Sequence, residues 1–308
     1  MIIDIHSHIW VENWRGDSLW EGFANVRASR LPANRRPPLG QVKKEMLAEC
    51  CDPTGEKQIK LMDEAGIDVA VLCSLDWGIA LGEPPVPLEE QHERIAEIAQ
   101  RFPGRYIPFA GVDPRREGAV ELFEKCIREE GFRGLKLHPA AGFYPDDRRY
   151  YPLYEKAVEL GVPVITHTGP APSPLRSKPT QPVYLDDVLT DFPELTIVAA
   201  HMGQGWWEEL VSMAHAKPNL MTDMSGMQPM AATDYERFCR ILRIFLTAVG
   251  PDRVLFGTDG LVFAGTLSPK RWVNLIRELP SRAPEGITFT ESEVEGILGG
   301  NARRLLGL

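Results

Sequence analysis

The chain has 308 residues, 44% hydrophobic and 25% charged, with a formal net charge of -9 and a pI of about 5.4, so it can build one large core or two ordinary ones. The acid excess argues against a nucleic-acid backbone as ligand, which takes a basic stripe, but leaves room for a small anion held by local cations. No apolar run is long enough to span a bilayer, Asp4 breaks any secretory leader, and five cysteines without a Cys-x-x-Cys pair fit a reducing cytoplasm rather than a disulfide scaffold.

The chain opens on an apolar strand that carries Asp4-Ile5-His6-Ser7-His8. Side chains alternate along a strand, so His6 and His8 are expected to point the same way, with Asp4 below them. Two imidazoles converging on one point suit a divalent metal. Residues 11–57 show little periodicity and are rich in Trp, Arg and Pro, which predicts a long ordered loop. It follows the first strand and therefore overhangs the proposed site, which makes Arg35 and Arg36 candidate contacts for a carboxylated or aromatic substrate.

The pattern then becomes regular. Helical periodicity over 57–66 precedes an apolar strand at 68–75, and a helix at 88–102 precedes a strand at 106–112. A helix at 115–130 is followed by a strand from 134 that carries Lys136 and His138. Further strands at 162–168, 195–201, 219–225 and 253–258 alternate with helices at 150–160, 184–191, 204–216 and 233–249. Helices near 268–279 and 291–306 finish the chain. His92 and His215 fall in helices and read as packing or surface residues.

Strict alternation of eight apolar strands with helices means a parallel sheet covered by helices, and at this length it matches a single (β/α)8 TIM barrel over residues 1–308. An open doubly wound sheet would need a Gly-rich phosphate turn after the first strand, and none is present.

Polar residues at the C-terminal strand ends form the active face of such a barrel. They are His6 and His8, Lys136 and His138, His167, His201 and Asp259. By strand parity His167 shares its side with Ile165, His201 with Ala199 and Ile197, and Asp259 with Gly257. His6, His8, His167 and Asp259 can make a metal shell with room for a water, the arrangement of a catalytic rather than a structural zinc site. Zinc lowers the pKa of bound water to about 7, and Asp259 or His201 can accept its proton. Asp4 reads either as a partner beneath the metal or as a strand polar residue held by backbone. Asp223 and Ser225 share a side of the seventh strand and can touch substrate. His138, before a proline, reads as a structural hydrogen bond ahead of a ligand.

Asp-Ile-His-Ser-His, Ile-Thr-His-Thr-Gly at 165–169, His-Met-Gly at 201–203, Gly-Thr-Asp at 257–259 and Gly-Asn-Ala-Arg-Arg-Leu at 300–305 together resemble the amidohydrolase superfamily. The terminal helix is similar to that of its amidohydrolase-2 branch, which includes aminocarboxymuconate-semialdehyde decarboxylase. The resemblance implies His6, His8, His167 and Asp259 as metal ligands. It makes His201 the catalytic or substrate-polarising histidine and Asp259 the proton shuttle. It also raises a second metal bridged by a carboxylated Lys136, although a mononuclear site with Lys136 paired to a carboxylate or an anionic substrate is the favoured reading. His201-Met202-Gly203-Gln204 and Asp259-Gly260-Leu261 depart from the decarboxylase pattern.

The expected function is therefore a cytoplasmic metal-dependent hydrolase that cleaves a C–N or C–O bond of a small, carboxylate-bearing substrate with a metal-activated water. The alternative is a non-oxidative carboxy-lyase of an unsaturated or aromatic acid at the same site. A non-catalytic metal-binding barrel would instead show a saturated coordination sphere. A barrel nuclease would want a Glu at the fourth strand end, where Lys136 stands. Relatives often form homodimers, which is expected here by analogy alone.

Overall fold

The computed structural model describes residues 1–308. Eight parallel strands lie in chain order in one sheet: β1 (Ile3–Ser7), β2 (Val69–Cys73), β3 (Tyr106–Gly111), β4 (Leu135–Leu137), β5 (Val164–Thr166), β6 (Ile197–Ala199), β7 (Leu220–Asp223) and β8 (Val254–Leu255). The last strand returns to the first: the Ile5 N–H donates to Phe256 O at 2.9 Å, and the Asp259 N–H to His6 O at 2.8 Å. The fold is a (β/α)8 barrel. Its strands are buried throughout, which is why they read as unbroken apolar runs.

Two apolar clusters divide the work. The larger one lies between strands and helices and takes residues such as Leu135, Leu137, Val164 and Ile197. The smaller one holds the alternate strand positions, among them Ile3, Val71, Phe109, Ile165, Val198, Met221 and Leu255, and fills the barrel. The strand missing from that apolar filling is β4. Its corresponding position is Lys136, 1% exposed.

Residues 11–57 are not a loop. They carry helices α1 (Asp17–Ser29) and α2 (Leu39–Cys50), packed on each other, with short 3-10 turns before each. Leu19, Trp20, Ala24 and Ala28 line the buried side of α1, and Val42, Met46 and Cys50 that of α2. The helical spacing is present in the sequence, but it is diluted by the arginines and prolines between the two helices. No helix is long and apolar enough to cross a membrane.

His92 is fully buried on the helix Leu88–Arg101. Its Nε2 lies 2.9 Å from Ser74 Oγ and 3.2 Å from Gly111 O, and its Nδ1 lies 3.2 Å from Cys126 Sγ. One neutral tautomer satisfies all three contacts, and burial pushes the ring pKa down to about 4. The unfolded chain, with an ordinary imidazole, binds more protons between pH 6.5 and 4, so stability falls as pH drops through that window. Urea melts of wild type and His92→Gln at pH 7 and pH 5 should show a shallower loss in the variant, by about 2 kcal/mol. Equal slopes would rule this out.

Candidate metal centre

The C-terminal ends of the strands bring the predicted residues to the barrel mouth by three local departures from regular backbone. The pairing of β1 with β2 shifts between Asp4 and Ser7, which is a bulge. Ile3 and Ile5 point into the barrel, and after the bulge His8 lines the mouth with His6 beside it, both grouped with Asp259. Asp4 takes the backbone-held role. Its carboxylate accepts from the His6 N–H at 3.1 Å, the Thr258 N–H at 2.9 Å and the Thr258 hydroxyl, and so stitches β1 to the end of β8. Burial pushes this carboxyl up to about 7.

His201 is the second departure. Ile197 and Ala199 belong to the outer cluster, so strand parity would turn His201 away from the mouth. A left-handed turn, with φ of 64° at His201 and 49° at Met202, brings it back. Asp259 has φ of 61° and is the third. His201, Met202 and Asp259 are the only non-glycine residues with positive φ, and backbone strain of this kind concentrates where function requires it.

The hydrogen bonds fix the tautomers. The His6 Nδ1–H donates to Asp223 Oδ2 at 2.9 Å, and the His8 Nδ1–H donates to Cys73 O at 2.6 Å. Both Nε2 atoms are therefore bare. They lie 3.2 Å from each other, and Asp259 Oδ1 lies 3.2 Å from His8 Nε2 and 3.8 Å from His6 Nε2. Three lone pairs facing one another repel unless a cation sits among them. Donors bound at about 2.0–2.1 Å in tetrahedral array lie roughly 3.3 Å apart, so the group fits a divalent metal. Only Lys136 Nζ, 2.9 Å from His6 Nε2, supplies a donor to the group.

A second chain of hydrogen bonds runs beside it. The His201 Nδ1–H donates to Ser225 O at 3.1 Å, and the bare His201 Nε2 accepts from His167 Nδ1–H at 3.0 Å. His167 Nε2 is then a bare, buried nitrogen without a partner. It lies outside the three-donor group of His6, His8 and Asp259, yet its tautomer is the one a ligand needs.

Protonation states match. Burial pushes His6 down to about 3, with Lys136 adding to the effect, and lowers His8, His138 and His167 too. Burial alone would raise Asp259, but its close contact with His8 and the neighbouring imidazoles hold it well below the usual carboxylate range. Neutral imidazoles and an ionised carboxylate are the state in which these groups bind metal.

Above the donors opens a cleft of about 150 Å³. A cavity of that size takes about one benzene ring. Its walls include Trp10, Trp77, His138, Pro170 and Phe263, with Lys136 and Asp259 its only charged residues. His138 stacks on His167 at 4.1 Å between ring centres. Trp10 is packed edge-on by Trp20 and Phe23 of α1, so the helical insertion builds this wall.

Arg35 and Arg36 do not meet the cleft. They lie exposed between α1 and α2, and Arg36 Nε donates to Leu31 O at 3.0 Å. Overhang from a loop was the reason to expect them; folding into two helices turns that connection to solvent. Ser225 is fully buried beneath the cleft, with Oγ 3.1 Å from His6 Nδ1 and 2.9 Å from His201 Nδ1, and its hydroxyl donates to Asp223 Oδ1. Its contacts are with the histidines and Asp223, and it is not among the residues that line the cleft. Asp223 emerges as the orienting carboxylate of His6, which lies 217 positions away and leaves no local signal in sequence. Gly257 lies under all of them: a Cβ there would fall 3.0 Å from Ser225 Cβ, 3.2 Å from Asp223 Oδ1 and 3.2 Å from His6 Cβ.

A family model described as Amidohydrolase matches residues 3–308. The chain is 22% identical over 344 aligned residues to 2-amino-3-carboxymuconate-6-semialdehyde decarboxylase of Dictyostelium discoideum, covering 99% of this chain and 91% of that protein. It is 28% identical over 233 residues to 2-keto-4-carboxy-3-hexenedioate hydratase of a Sphingobium species, covering 66% and 65%. The crystal structure of a dihydroxybenzoic acid decarboxylase from a Polaromonas species, with bound manganese and the inhibitor 2-nitroresorcinol, superposes with a TM-score of 0.66 at 20% identity. That match covers 100% of this chain and 97% of the other, and at this identity it shows the shared fold.

Proposed function

The chain belongs to the amidohydrolase family and is an enzyme, and from that premise we propose that it is a metal-dependent carboxy-lyase that removes carbon dioxide from an unsaturated or aromatic carboxylic acid. The observation that carries this reading is the convergence of His6 Nε2, His8 Nε2 and Asp259 Oδ1 on one point at the floor of a one-ring cleft. The motifs alone put hydrolysis first. A relative aligned along 99% of the chain is a decarboxylase, and that favours the alternative.

His6, His8 and Asp259 would hold a single divalent cation, zinc or manganese, with His167 Nε2 as a further donor. Such a cation would supply Lewis acidity there, which would stabilise negative charge on a substrate oxygen during loss of carbon dioxide. The remaining work falls to the chain. Asp259 is the only carboxylate lining the cleft; held ionised, it takes a proton from a substrate hydroxyl or from water and passes it to the carbon that carbon dioxide leaves. His201 keeps His167 in the tautomer with a bare Nε2. Lys136 is the only Lys or Arg lining the cleft, and its ammonium anchors the acid group of the substrate. Trp77 and His138 present ring faces and edges to a flat ligand and exclude water.

The test is carbon dioxide release from a panel of dihydroxybenzoic and carboxymuconate-type acids, with protein reconstituted in zinc or manganese. Release from one of them with about one metal per chain is expected. Cleavage of amides or lactones with no carbon dioxide from any acid would return the site to hydrolysis. The hydratase relative supports a second reading, addition of water to a carbon–carbon double bond of a similar acid. It would show as loss of enoate absorbance without carbon dioxide.

A further inference from the structure

Arg15 is a buried cation that the proposed chemistry does not use. It follows the 3-10 turn before α1 and is 8% exposed. Its Nη1–H groups donate to Trp14 O at 2.6 Å and Gln91 Oε1 at 2.8 Å, both neutral acceptors, and its Nε is buried without a partner. Asp76, the acid nearest in influence, is engaged by both arms of Arg116, at 2.5 and 2.7 Å. A buried guanidinium without a carboxylate of its own is costly, so its presence calls for a compensating role.

Its remaining contacts are aromatic. The guanidinium carbon lies 5.9 Å from the Trp10 ring centre and 5.4 Å from that of Trp77. Those indoles lie 6.2 Å apart and form one wall of the cleft. Trp10 packs edge-on against His8 at 5.7 Å. Trp77 packs edge-on against His138 at 4.9 Å, and His138 stacks on His167. One cation thus touches the start of two short aromatic chains, and each chain ends on a candidate metal donor.

We infer that Arg15 is a positioning residue of the metal centre: seated against Trp10 and Trp77, its guanidinium sets the spacing of the cleft wall and, through those indoles and His138, holds the rings of His8 and His167 in place. The inference rests on the proposed metal site. It is independent of which reaction that site performs. Groups outside the ligand shell that orient ligating histidines typically change metal affinity 10–100-fold when removed.

The experiment compares the full-length wild type, Arg15→Met and Arg15→Lys for manganese binding, read by the electron paramagnetic resonance of the free ion, and for melting of the metal-free protein. Arg15→Met is expected to raise the manganese Kd about tenfold. Its metal-free melting midpoint should match or exceed that of wild type, because replacing a buried unpaired charge by an apolar chain of similar length often does not destabilise. Arg15→Lys keeps a cation against the indoles and should recover most of the affinity. If Arg15→Met does not fold, Gln91→Leu removes the guanidinium's side-chain acceptor while leaving Arg15 in place, and a Kd raised about threefold is expected. Wild-type Kd values in Arg15→Met, or in Gln91→Leu where Arg15→Met is unfolded, would overturn the inference and leave the functional reading standing. A wild-type chain that binds no manganese would take both down together.

Discussion

Asp259→Asn lowers kcat by about 10²–10⁴-fold at saturating metal, the range lost when a positioned proton carrier is removed. Asparagine is the informative replacement because Asp259 sits at φ of 61°, a conformation that Asn tolerates and most other residues do not. The backbone N–H that donates to His6 O at 2.8 Å is retained, so the seam between β8 and β1 is preserved. What is lost is the charge. An amide beside His8 Nε2 still offers an oxygen to a cation, but it cannot carry a proton to carbon. The measurement is single-turnover carbon dioxide release with metal content determined on the same sample, alongside a melting curve. Turnover within tenfold of wild type, with metal bound, would mean that another group moves the proton and would remove Asp259 from that role.

Asp223→Asn is expected to raise the metal Kd about 10–100-fold while leaving kcat recoverable in excess metal, which separates it from Asp259→Asn. The reason is donor counting. Asp223 Oδ2 accepts from the His6 Nδ1–H at 2.9 Å; Oδ1 accepts from the Ser225 N–H at 2.9 Å and from the Ser225 hydroxyl. An amide has one acceptor oxygen, so either orientation sets its NH₂ against a donor. If the NH₂ faces His6, the ring is driven to the tautomer with Nδ1 bare and Nε2 protonated, and the lone pair aimed at the cation disappears. Burial would raise Asp223 on its own, yet His6 and Ser225 hold it well below the usual range, so the carboxylate is ionised in wild type. A titration of turnover against manganese gives both parameters. An unchanged metal midpoint would show that Asp223 does not govern His6.

Much of the site was legible because strand ends and metal donors leave local marks. His6 and His8 stand two apart in an apolar strand, and His167 follows Ile165 at the end of another. Helix boundaries were close where apolar spacing was clean, as at Leu88–Arg101, and were missed in 11–57, where Arg and Pro hid the spacing of Val42, Met46 and Cys50. Arg35 and Arg36 were drawn to the cleft by that missed structure. Ser225 lies two residues past the end of β7 rather than on that strand, and its partner could not be named from sequence: the contact with His6 spans 219 positions.

By itself the sequence determined eight strand–helix units and a set of histidines and one late aspartate at strand ends, because alternation, apolar runs and residue chemistry are properties of short segments. Only the tertiary structure decided that a bulge turns His6 and His8 into the mouth, that left-handed turns bring His201 and Asp259 back to it, and that Asp223 and Cys73 choose which nitrogen of each histidine is bare. Those outcomes depend on which backbone and side-chain groups meet across the barrel, and such meetings exist only after distant strands have closed on one another.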